Sequence, residues 1–210
     1  SSGTVNVAAP GEDVYVDAGS VSKTITGVTG TGGFEAVSIN PAAAVTTVTD
    51  SLDTTTVTLS SATNGTAVTE GGSIIYTATV SSPVTNSNLV VTLSNGQTIT
   101  IPVGATTANS PAFAVRADDG YVQGTQTLTA VSISGTSGGN YEAITTTGTV
   151  NNTVVDDTDA TTVSLTATPS VAEGGSITYT ATLTSPAASA MTVTLSGGQT
   201  INIGAGASSG

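Results

Sequence analysis

Fourteen carboxylates face only two basic side chains, Lys23 and Arg116, in this 210-residue chain, which has no histidine and no cysteine. That inventory limits the chemistry. Without histidine there is no usual general base or serine activator, and without cysteine no thiol nucleophile, disulfide or thiolate metal site. Carboxylates alone can hold hard cations through oxygen or, in pairs, hydrolyse glycosides. The second task needs aromatic sugar platforms, and aromatics are 3% of the residues. An enzyme is therefore not expected. A net charge of −12 argues against nucleic acid, whose phosphates call for several Lys or Arg, and against anionic membrane surfaces. No apolar run approaches the roughly 18 residues of a membrane span.

The acids fall into four loop sets. Glu70 and Glu173 sit in Glu-Gly-Gly turns. Glu12, Asp13, Asp17, Asp118 and Asp119 lie in a second loop. Asp50, Asp53, Asp156, Asp157 and Asp159 form a third set, and Glu35 and Glu142 follow Gly-rich turns. All but Asp17 and Asp157 recur at matched positions, because the chain is a tandem repeat. Residues 68–83, VTEGGSIIYTATVSSP, return 103 residues later as 171–186, VAEGGSITYTATLTSP. TLSNGQTIT (92–100) returns as TLSGGQTIN, and DTTTVTL (53–59) as DATTVSL. Residues 50–155 are expected to be one complete unit, residues 1–49 the C-terminal half of another, and residues 156–210 the N-terminal half of a third. The expectation is of a piece cut from a longer array, with the half units completed by neighbouring molecules or poorly ordered.

The elements that carry these loops read as strands. Residues 73–81 alternate apolar and polar positions, the period of a half-buried strand. Further strands are expected over 57–61, 89–93, 97–101, 112–116, 125–133 and 143–150, with residues 62–69 and 102–110 as loops. Asn95-Gly96 marks a hairpin. Seven short strands per unit predict an all-β chain of tandem immunoglobulin-like β-sandwich repeats of about 100 residues. Tyr76 and Tyr179 are expected in the core. Tyr15 and Tyr121 are expected in corner packing, their hydroxyls bonded to backbone.

Strand parity then gathers the acids. In an alternating seven-strand sandwich the first inter-strand loop, the fifth and the chain exit share one pole. Glu70, Asp118 and Asp119 should therefore converge on Asp156, Asp157 and Asp159, and Glu12 and Asp13 on Asp50 and Asp53. Such crowding favours a divalent cation with oxygen ligands, Ca²⁺ before Mg²⁺. Glu142 belongs at the opposite pole, solvated or beside Asp53.

The stretch DTDATTVSLTATPSVAEGGSITYTATLTSP, followed by TVTLSGGQTINI, together with EDVYVDAG and GGFEAVSI, resembles the extender repeats of LapA-type biofilm adhesins across essentially the whole chain. The V-x-E-G segment with D-D-x-D is also similar, more weakly, to calcium-binding Calx-β modules. The adhesin resemblance implies export by type I secretion, folding outside the cell, tethering to the outer membrane, and a Ca²⁺-stiffened spacer projecting adhesive domains. Its partners are neighbouring repeats of the same chain, with head-to-tail or homotypic contacts between molecules. The alternative is a repeat that itself binds polysaccharide or pairs between cells.

Overall fold

A computed structural model describes residues 2–30 and 32–210. All its regular elements are strands, and no helix occurs among the described residues. The chain opens with β1 (Gly19–Lys23) and β2 (Ala44–Val48), then β3 (Thr54–Ser61), β4 (Ala67–Thr69), β5 (Ser73–Ile74) and β6 (Tyr76–Val80). Next come β7 (Leu89–Leu93), β8 (Thr98–Ile101), β9 (Thr107–Asn109), β10 (Phe113–Ala114), β11 (Gln126–Thr127) and β12 (Val131–Ser137). β13 (Ala143–Thr147), β14 (Thr149–Val150), β15 (Thr153–Val155), β16 (Val163–Ala167), β17 (Tyr179–Leu183), β18 (Met191–Thr194) and β19 (Thr200–Ile203) complete it. The Val- and Thr-rich composition suits pleated strands.

The strands group into two compact units. The first comprises residues up to Asn64, Ile75–Ala112 and Ala130–Val150. It contains the β1–β2 hairpin and two four-stranded sheets, β13-β3-β6-β9 and β14-β12-β7-β8. Both sheets alternate buried and exposed positions. Val57, Leu59, Tyr76, Ala78 and Val80 are buried on one, and Leu89, Val91, Leu93, Ile99 and Ile101 on the other. Two sheets each buried on one face are the pattern of a β-sandwich, and each fully buried aliphatic contributes about 1.5–3 kcal/mol.

The second unit holds Gly65–Ile74, Phe113–Thr129 and Asn151–Gly210. Its sheets are smaller: β11-β15-β4, β10-β5, β16-β17 and β18-β19. Ala181, Leu183 and Ile203 form a small core, packed against Met191, Val193 and Ile201 among others.

Three strands lie where the sequence suggests connections. β4 and β9 fall in expected loops and β15 runs into the acidic junction. Each has only three residues, too few for a period to show, and their backbone bonds come from distant partners. The Asn95-Gly96 hairpin forms, with Thr92 opposite Thr98. Only Gly96 takes positive φ, 84°, and Gly96 N–H donates to Leu93 O at 2.9 Å. Asn95 stays right-handed, so this is a type I turn closed by a left-handed glycine rather than a two-residue mirror-image turn.

Candidate metal centre

The turn between β4 and β5 is the centre of the site. β15 runs parallel to β4, with Val155 opposite Thr69. Glu70 and Asp156 consequently leave the same end of that sheet. β10 runs antiparallel to β5, and the pairing continues beyond the strands. Val115 N–H donates to Gly72 O at 3.1 Å, Gly71 N–H to Arg116 O at 2.8 Å and Glu70 N–H to Val155 O at 2.9 Å. These bonds bring the residues that follow each strand, Asp118 and Asp157, up to the turn.

Carboxylate oxygens of Glu70, Asp118 and Asp157 lie within 4.8 Å of one another, Glu70 buried and the other two exposed. Gly71 permits this approach. A Cβ there would sit 2.8 Å from the Asp118 Cβ, and the residue has φ of 71°, a conformation that disfavours side chains. Asp159 lies close to Asp118 and Asp157. The Asp118 charge first, then Asp157, burial and Asp119, push its pKa above the usual aspartate value.

Arg116 holds the inner side of the cluster. Its Nε donates to Glu70 Oε2 at 2.9 Å, Nη1 donates to Gly124 O at 3.1 Å, and Nη2 pairs with Asp156. Asp156 Oδ2 also accepts the Gln123 and Gly124 N–H groups at 2.6 and 2.8 Å. The Gly124 N–H foremost, with Gln123 N–H and Arg116, holds Asp156 below the usual carboxylate value against the opposing effect of burial. Asp119 turns elsewhere: Oδ1 accepts Tyr121 N–H at 2.8 Å and Oδ2 the Gln123 side-chain amide. Of the six acids expected here, Glu70, Asp118 and Asp157 face one another and Asp159 lies beside Asp118 and Asp157, while Asp119 and Asp156 hold loop backbone.

The matched positions in the N-terminal stretch repeat the loop geometry. Asp13 Oδ1 accepts Tyr15 N–H at 2.8 Å, and Asp50 Oδ2 accepts Asp17 N–H at 3.1 Å. Asp13 above all, then burial, Asp50 and Glu12, raise the Asp17 pKa. Asp53 N–H donates to Glu142 Oε2 at 2.5 Å, so Glu142 lies beside Asp53. Sequence reasoning put Asp17 in an acidic loop and Arg116 in a strand, but included neither in the site. The signal for Arg116 was its rarity, one of two basic residues and two positions before Asp118.

A cavity of about 850 Å³ opens over Val163, Leu165, Ile177, Tyr179, Val193 and Leu195. Leu165 is 50% and Tyr179 46% exposed, whereas their repeat equivalents Leu59 and Tyr76 are 3% and 1% exposed. Tyr179 is thus not in a core as its position in the repeat suggests; the sheet face it belongs to is open. These apolar side chains are five aliphatics and a single tyrosine, and Ser164, Thr194, Ser196 and Gln199 line the rest of the cavity.

The fold and loops define an all-β repeat chain whose acidic turns offer oxygen ligands. The LapA domain profile matches residues 1–51, 53–158 and 159–210, and the chain belongs to that family. The resemblance read from the motifs is thereby borne out. The family is adhesin-related and of the cell surface, and it is not an enzyme family. No curated protein and no solved structure matches the chain. No helix of the described residues is long and apolar enough to cross a membrane.

Proposed function

We propose that this chain is an extender of an outer-membrane-tethered biofilm adhesin, a string of immunoglobulin-like repeats stiffened by Ca²⁺ at the acidic loops. The observation that carries the cation is the Glu70–Asp118–Asp157 convergence. Oxygens that ligate one Ca²⁺ at about 2.3–2.6 Å lie no more than about 5 Å apart, and these three lie within 4.8 Å of one another. The donors are all carboxylates, the chemistry of a hard cation. Arg116 engages Glu70 through Oε2. Asp159 completes the set, and Asp156 positions the loop. When bound, the cation would neutralise repulsion that now raises the Asp159 pKa.

Calcium titration by calorimetry, with melts in chelator and in millimolar Ca²⁺, tests this reading. Saturable heat and a raised melting temperature are expected, and Asp118→Asn with Asp157→Asn should remove both. Absence of heat in the unaltered protein overturns it. A second reading, homotypic pairing between chains, is favoured by the open apolar face at Leu165 and Tyr179. Concentration-dependent sedimentation, unchanged by chelator, would single it out.

A further inference from the structure

Strand β6 ends at Val80, and Pro83 follows three residues later. Proline supplies no N–H and interrupts the ladder, so nearby carbonyls need donors from elsewhere. Two tyrosines provide them. Tyr15 Oη donates to Pro83 O at 2.6 Å, and Tyr141 Oη donates to Ser82 O at 2.7 Å. Their rings stack at 5.5 Å between centroids. Val16 N–H to Asn140 O and Glu142 N–H to Val14 O, both 3.1 Å, close a short antiparallel bridge around the stack. Burial first, then the neighbouring Tyr15, pushes the Tyr141 phenol above its usual pKa.

The arrangement recurs. Tyr121 Oη donates to Pro186 O at 2.9 Å. Pro186 is the repeat equivalent of Pro83, and Tyr121 that of Tyr15. Both tyrosines are presented by the same device, an aspartate two residues earlier whose Oδ1 accepts the tyrosine N–H at 2.8 Å. Such an Asx turn fixes the direction of the following side chain. In both cases donor and acceptor belong to different repeats. Tyr15 lies in the match over residues 1–51 and Pro83 in that over 53–158; Tyr121 lies in the latter and Pro186 in the match over 159–210.

We propose that the segment Asp-x-Tyr is a clasp between successive repeats, the tyrosine of one repeat seated on the proline carbonyl that ends a strand of the next. The clasp needs no cation. Its contacts are a neutral hydrogen bond and ring packing, so it orients the following repeat when Ca²⁺ is absent, and a cation held by neighbouring Asp118 adds to it. The inference stands apart from the calcium reading.

The chain has no cysteine, so two introduced cysteines take spin labels uniquely. Exposed Thr100 in β8 and Ser164 in β16, each replaced by Cys in the full chain, report the distance between successive repeats in chelator. A narrow distance distribution is expected. Tyr121→Phe, which keeps the ring and the Asx turn, should broaden it, and Tyr121→Ala should abolish the narrow component. Tyr76 is buried in the preceding repeat, so an unaltered melting transition of that repeat shows the loss to lie at the joint. A distribution equally narrow in both variants overturns the clasp. So does broadening by Tyr121→Ala that coincides with loss of that melting transition while Tyr121→Phe stays narrow. Failure of the calorimetric calcium titration leaves either result unaffected.

Discussion

Arg116 is an internal cation in a chain with almost none. Its side chain is 17% exposed and that of its partner Glu70 only 1%. A carboxylate so enclosed is tolerable because the guanidinium engages it from one side. Arg116→Gln strands that charge. We expect a loss on the order of 3 kcal/mol in urea unfolding of the chelated protein, offset in part by millimolar Ca²⁺. The aspartates around it answer pH in opposite directions. Asp156 has a depressed folded pKa, so its contribution is present above the unfolded value, near 3.9, and is lost as pH falls through the folded value. Asp17 and Asp159 have raised folded values. Ionised, they oppose folding, and that opposition vanishes as pH falls through those raised values toward the unfolded one. Melting temperature in chelator should therefore climb as pH drops from neutral toward the unfolded aspartate value, about 3.9, and decline below it. A steady decline from neutral pH would show that crowding of these acids does not govern the loops.

At the scale of the element, the turn between β4 and β5 carries the site, and it was only half legible. The Glu-Gly-Gly punctuation marks it in sequence. The longer strands β3, β6, β7 and β8 also declare themselves, since alternation over four or more residues fixes which face is buried. β4 and β15 do not, because a three-residue strand is defined by its partner. Their parallel pairing is what sets Glu70 and Asp156 side by side. The acids were legible because like charges recur at repeat spacing. Which of them would meet was not, since Asp119 and Asp156 bind loop N–H groups whose positions depend on the turn. The tyrosine acceptors were also out of reach: corner packing looks a few residues upstream, whereas Pro83 and Pro186 lie 68 and 65 residues downstream of their tyrosines. Gly71→Ala tests the turn itself. A left-handed non-glycine residue costs about 1–2 kcal/mol, and the new methyl would displace Asp118. We expect modest destabilisation in urea but a large fall in calcium heat, a separation that a uniformly loosened unit would not give.

At the scale of the molecule, the strand registers of the repeat yield a prediction about association. Within the first unit β13 lies parallel to β3, with Ala143 opposite Thr54 and Thr146 opposite Val57. Within the second, β15 pairs with β4 through Val154 and Val68. Residues 36–40 occupy the matched positions of β13, and residues 160–164 those of residues 54–58 in β3. Both stretches are exposed, and so are Val37, Ile39, Val163 and Leu165. Transferring the registers sets Ile39 of one copy opposite Val163 of another, and Val48 opposite Val171. An interface of this kind joins two different surfaces, so it propagates head to tail instead of closing a dimer. The full chain should sediment as concentration-dependent oligomers, and Val163→Asp should shift them to monomer because a carboxylate then enters an apolar contact. Equimolar Ile39→Cys and Val163→Cys proteins, mixed and oxidised, should yield the mixed disulfide in preference to either homodimer. A random distribution of the three products would mean that the open face attracts other chains without this register.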